Sequence, residues 1–133
     1  MQPGHRNFCV LILFAAAVTF LVVAPAAAHA VLLESTPPLN SVVWGPDVSI
    51  KLRFNVRIDA LRSRLTLIHP DGTLQFLGIR KQSPADTLAA EATDLGAGAY
   101  RLRWQVLASD GHITRGEIPF TVRGAKPFTA TPS

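Results

Sequence analysis

The chain is almost without sulfur. Its 133 residues include one cysteine, Cys9, and one methionine, Met1. Beyond residue 9 no disulfide framework can form. A thiolate zinc site and a sulfur-ligated Cu(I) site are excluded with it. Charge is sparse too, at 17% of residues, with 13 Lys and Arg against 9 Asp and Glu. The basic residues are scattered along the chain at Lys51, Arg53, Arg57, Arg62, Arg64, Arg80, Lys81, Arg101 and Arg103. A nucleic-acid partner needs a concentrated stripe, so none is expected. Also missing are a nucleophile elbow, a phosphate-cradling glycine loop and carboxylates paired at a catalytic spacing.

Only one long apolar run exists, Phe8 to Ala24. It follows a short segment carrying His5 and Arg6 and precedes Pro25 and the alanines Ala26, Ala27 and Ala28. That order is the order of a secretory signal, with small residues where a signal peptidase reads them. Its 17 residues fall short of the roughly 20 that span a bilayer. Residues 1–28 are therefore expected to be a cleaved signal peptide. The product would be exported to the periplasm or the extracellular side of the envelope, with no stable membrane anchor. Removing 28 of the 133 residues leaves 105, one ordinary domain. Losing Arg6 leaves 12 basic residues against 9 acidic, a net charge of +3. Nothing in the sequence demands more than a monomer.

The remaining pattern is β throughout. Val48 to Phe54 alternates apolar and polar residues strictly, the period of a half-buried strand. Tyr100, Leu102, Trp104 and Val106 form a second inward set, and Ile118, Phe120 and Val122 a third. Pro119 cannot donate to a ladder and is expected at an edge or a bulge. Leu65 to Ile68 reads as a short strand ending in the turn His69-Pro70-Asp71-Gly72. Further turns are expected at Thr36-Pro37-Pro38, Trp44-Gly45-Pro46-Asp47, Ser83-Pro84-Ala85-Asp86 and Leu95-Gly96-Ala97-Gly98. Asp86 to Asp94 fits a strand or one helical turn. About seven short strands at this spacing predict an all-β, immunoglobulin-like antiparallel sandwich or small Greek-key β-barrel. It would occupy residues 29–123, with residues 124–133 a disordered tail.

Three histidines follow the signal: His29, His69 and His112. Cleavage after Ala28 would make His29 the first residue, and its α-amine and imidazole together form a bidentate chelate. In Ser109-Asp110-Gly111-His112, an extended backbone would project Asp110 and His112 to one face. Asp-x-His alone is a weak signal, and the N-terminal histidine is what raises it. His69, before a proline in a turn, reads as a surface residue. The candidate donors are thus three nitrogens and one oxygen from His29, Asp110 and His112. That set suits one tetragonal Cu(II) ion, whereas Zn(II) would use the same atoms tetrahedrally. The amine must lose its proton to bind, and its ordinary pKa is about 7.7–8.0.

On these residues the chain resembles the copper-resistance protein C (CopC) family of exported copper-binding domains. The likeness begins at His29-Ala30 and continues through Ser35-Thr36-Pro37 and Leu52-Arg53-Phe54. It is densest from Gly98 to His112 and closes with Gly116 and Phe120-Thr121-Val122. The resemblance implies an immunoglobulin-like β-barrel that holds Cu(II) through His29, Asp110 and His112. It also implies a role in copper sequestration, delivery or resistance, often beside a membrane copper-uptake protein. Two departures stand out. Family members often carry a Glu just after the Phe of the first long strand, where this chain has Phe54-Asn55-Val56. Weaker copper retention is the expected consequence if that Glu supports the site. Ile113 replaces the Pro that often follows the motif histidine. The methionine-rich Cu(I) site of some members cannot form here.

No enzymatic activity is expected, although two alternatives remain distinct. One is a histidine-brace oxidative enzyme of the polysaccharide monooxygenase kind, for which Trp44 offers the only exposed aromatic anchor. The other is a metal-free immunoglobulin-like interaction module, with Trp44 or the basic residues near Arg62 and Arg64 at its surface.

Overall fold

The fold is known from a computed structural model that describes residues 29–127. The expected signal peptide, and residues 128–133 of the expected tail, lie outside the described residues. Eight strands occur in chain order. They are β1 (Leu32–Thr36), β2 (Ser41–Gly45), β3 (Val48–Phe54), β4 (Ile58–Ile68), β5 (Leu74–Leu77), β6 (Thr87–Ala92), β7 (Gly98–Ala108) and β8 (Ile113–Ala125). They form a three-stranded sheet, β1-β3-β6, facing a five-stranded sheet, β2-β8-β7-β4-β5. This is the expected sandwich, with one strand more than anticipated. One pairing departs from the antiparallel rule, since β2 runs parallel to β8.

The alternating strands bury their apolar sets as their sequence dictates. Leu52, Leu67, Leu88, Leu102 and Val106 are completely enclosed. Trp104 is inward as expected and meets Phe54 edge to face, with ring centroids 5.2 Å apart. Gly116 faces Trp104 across the β7–β8 ladder, and the indole ring occupies the space that a Cβ there would need. The ambiguous segment resolves as β6. Its alternate residues Leu88, Ala90 and Ala92 are buried in the core between the two sheets. The Tyr100 hydroxyl donates to Gly96 O at 2.9 Å, pinning the chain as it enters β7.

Pro119 sits inside the five-stranded sheet rather than on an edge strand, opposite Arg101. Its carbonyl accepts from Asn40 N at 2.7 Å on the β2 side. In an extended strand a residue's N and O point to one flank, so the missing N–H also lies on the β2 side and takes no donor from the β7 ladder. Strand β8 also runs beyond the boundary expected at 123. Gly124 and Ala125 belong to the strand, Ala125 lying opposite Gly45. Trp44, expected in a turn, lies within β2.

Strand β4 is much longer than the Leu65–Ile68 segment read from sequence. Its register with β7 jumps between Asp59↔Leu107 and Arg64↔Gln105, which leaves extra residues bulging from β4. The bulge is held by local hydrogen bonds. Asp59 Oδ1 accepts from the Leu61 and Arg62 amides, and the Ser63 hydroxyl donates to Asp59 O.

Candidate metal centre

The β7–β8 hairpin turns through Ser109, Asp110, Gly111 and His112, closed by Ala108 N donating to His112 O at 2.9 Å. Gly111 adopts φ 87°, a left-handed conformation that glycine takes without the usual Cβ penalty. The Asp110 carboxylate bridges this turn. Its Oδ1 accepts from His112 N at 3.0 Å, and Oδ2 lies 3.0 Å from His112 Nδ1. Asp110 and His112 therefore meet through a tight turn folded about Gly111, not through the i, i+2 projection of an extended strand. The turn, not strand periodicity, is what sets the two side chains side by side.

His29 arrives from the other end of the sandwich's chain. Ala30, next to it, is 3% exposed and packs into the core, so the chain is anchored one residue from the histidine. Beyond that anchor, Asn55 holds the backbone on both sides. Its Oδ1 accepts from Val31 N at 2.7 Å, and its own N–H donates to Val31 O at 3.0 Å. The His29 and His112 rings come to rest with centroids 5.0 Å apart and planes at 72°. One potential donor atom from each of His29, Asp110 and His112 falls within a 4.8 Å span, and all three residues are exposed.

Electrostatics favours a cation here. The Asp110 carboxyl is held below its ordinary pKa, first by the His112 backbone N–H; burial opposes this, and the His112 and His29 side chains each add a smaller lowering effect. The lowered pKa favours the anionic carboxylate that a cation needs. Solvent access leaves a path for an ion. The donors are two imidazoles and a carboxylate without sulfur, a set that fits a borderline divalent ion better than a soft monovalent one.

His69 takes no part. It is half-buried, its Nε2 lies 2.7 Å from Gln75 Oε1, and its ring packs on Tyr100 at 5.2 Å. Asn55 is the residue that sequence reasoning missed as a functional element. In sequence it stands out only for the carboxylate that the Phe54-Asn55-Val56 stretch lacks, and nothing there marks the amide that clamps Val31. An Asn directly after an alternating strand is the cue, because Asn readily bonds nearby backbone. Trp44 is also not the most exposed aromatic, since Phe76 is 73% exposed against 44% for Trp44.

The family model for the CopC domain matches residues 32–123. The chain belongs to the CopC domain family. Its CopC fold superposes on the crystal structure of CopC from Methylosinus trichosporium OB3b with a TM-score of 0.68. Identity is 28%, covering 76% of this chain and 100% of that one. PcoC, a methionine-rich copper resistance protein from Escherichia coli, gives a TM-score of 0.58 at 26% identity, covering 72% of this chain and 100% of that one. Protein YobA of Escherichia coli (strain K12) is 28% identical over 108 residues, 79% of this chain and 87% of its own length. Unlike a methionine-rich relative, this CopC domain has no methionine after Met1.

Proposed function

We propose that this protein is an exported carrier or buffer of one Cu(II) ion, held by His29, Asp110 and His112, and that it catalyses no reaction. The observation that carries the reading is the convergence of these three residues from opposite ends of a CopC domain within 4.8 Å. The copper-resistance relatives of the same fold support copper as the ion. The donor chemistry supports the divalent state, since the domain lacks the sulfur that Cu(I) prefers. Cleavage of residues 1–28 would free the His29 amine and complete three nitrogens and one oxygen, the set a tetragonal Cu(II) ion takes. Export to the periplasm or envelope follows from the same segment, and no helix among the described residues is long and apolar enough to cross a membrane. The protein would act as a monomer and hand its ion to a membrane copper-uptake protein. Trp104 is buried, and the exposed aromatics Trp44 and Phe76 lie on opposite edge strands, β2 and β5, so they form no single platform of the kind a polysaccharide-oxidising reading needs.

A competitive Cu(II) titration of the processed protein and its His112→Ala variant tests this. One-to-one binding that the variant weakens by at least about a hundredfold is expected, as for loss of one of a few strong donors. Unchanged binding in the variant would refute the site.

A further inference from the structure

The arginines, scattered in sequence, are not scattered in space. The outer face of the five-stranded sheet carries a hollow of about 440 Å³ lined by Arg64 of β4, Arg103 of β7 and Arg115 of β8. Arg64, Gln105 and Arg115 lie in one row across three strands, and Gln105 Oε1 fixes Arg115 by accepting from its Nε at 2.8 Å. None of the three arginines has a carboxylate within ion-pair distance among the described residues. Arg53, Arg62, Arg80 and Arg101 all do. Glu117, opposite Arg103 on β8, is engaged by Arg101, so the three exposed arginines leave a positive field over the hollow that attracts an anionic occupant.

The hollow has an apolar neighbour. A second one of about 360 Å³ shares Arg64 and Phe76 with it and is lined further by Leu61, Leu77 and Ile79. Leu61 crowns the β4 bulge and is 90% exposed, while Phe76 on edge strand β5 is 73% exposed. Local hydrogen bonds from Asp59 and Ser63 hold that bulge in place. Arginine forks beside exposed aromatic and aliphatic side chains are the composition of a protein interface, not of an idle surface.

We infer that this face docks an acidic polypeptide segment of a partner, its carboxylates on Arg64, Arg103 and Arg115 and an apolar side chain against Phe76 and Leu61. Planar guanidinium forks match carboxylates in bidentate fashion. A confined basic hollow joined to an apolar one fits alternating side chains of a peptide. It does not track the continuous backbone of a nucleic acid, which needs an extended basic stripe. The Gln105↔Arg115 row stands two residue pairs before the β7–β8 hairpin ends at Leu107↔Ile113, so a docked segment lies beside the loop carrying Asp110 and His112. The inference stands on the arginine and apolar geometry and needs no metal.

The test is fluorescence anisotropy with a labelled peptide of glutamates around one central leucine. Its glutamine analogue, anionic phosphatidylglycerol vesicles and a DNA oligonucleotide serve as alternative probes. Binding of the acidic peptide alone is expected. It should fall about tenfold in each of Arg64→Ala, Arg103→Ala, Arg115→Ala and Phe76→Ser. Arg103→Lys should lie between, and Lys51→Ala and Arg123→Ala, outside the hollows, should match the wild type. Thermal melts verify that each variant folds. Equal losses in the Lys51 and Arg123 variants, equal binding of the glutamine analogue, or binding of vesicles or DNA in place of the peptide would overturn the inference.

Discussion

Asn55→Ala isolates the contribution of backbone clamping to the metal centre. The substitution removes the acceptor of the 2.7 Å bond from Val31 N and leaves the Asn55 N–H to Val31 O bond intact. Val31 is 53% exposed, so its freed amide turns to water and no desolvation penalty is added. A net value of about 0.5–1.5 kcal/mol is appropriate for one such bond. What copper binding loses is pre-organisation, because a loosened His29 must be re-ordered when the ion is held. The bond's net value bounds that loss. At about 1.4 kcal/mol per decade, Cu(II) affinity should fall roughly two- to twelve-fold. Competitive titration against a chelator of known affinity reads this directly. Asn55→Asp keeps an acceptor oxygen in place and should show no loss. An unchanged affinity in Asn55→Ala, or an equal fall in Asn55→Asp, would refute the clamp. A fall beyond about a hundredfold would mean that Asn55 itself ligates the ion, since one bond cannot supply it.

The remaining expectations concern ligands, pH and packing. Asp110→Ala should weaken Cu(II) less than His112→Ala in parallel titrations, because imidazole is the stronger donor and both Asp110 oxygens already serve His112. Copper affinity should fall as pH drops through the ordinary α-amine range of about 7.7–8.0, since protons compete for the nitrogen. The Asp110 carboxyl, lowered from its ordinary value, should stay ionised across a titration series from about pH 8 to pH 5 and add no proton competition of its own there. Gly116→Ala should destabilise by about 1–3 kcal/mol in urea unfolding, because its Cβ collides with an indole ring held against Phe54. Leu102→Ala, emptying a fully enclosed site, should cost about 2–5 kcal/mol by the same assay.

The sequence made the fold legible wherever alternation was strict. Val48–Phe54 and Tyr100–Val106 became strands with the expected inward faces, because a period of two admits no other buried arrangement. The alanines of β6 were silent, since alanine packs equally well on a helix or a sheet. The β4 bulge was silent as well, because it depends on Asp59 and Ser63 bonding their own backbone while β7 continues unbroken. The candidate metal ligands are readable as types and spacing. Their meeting across the sandwich depended on Ala30 entering the core and on Asn55 holding Val31, both tertiary facts. The arginine hollow was hidden for a similar reason. Arg64, Arg103 and Arg115 are brought together only by the registers of β4, β7 and β8.

The central claim is that the His29 amine and ring together grip copper, and the decisive measurement changes only that end. Cu(II) titration with electron paramagnetic resonance should compare protein beginning at His29 with protein carrying one additional residue before it. A one-to-one complex with a tetragonal, nitrogen-rich spectrum, lost or greatly weakened by the added residue, is the predicted result. Equal affinity and an identical spectrum in the two proteins would contradict the account.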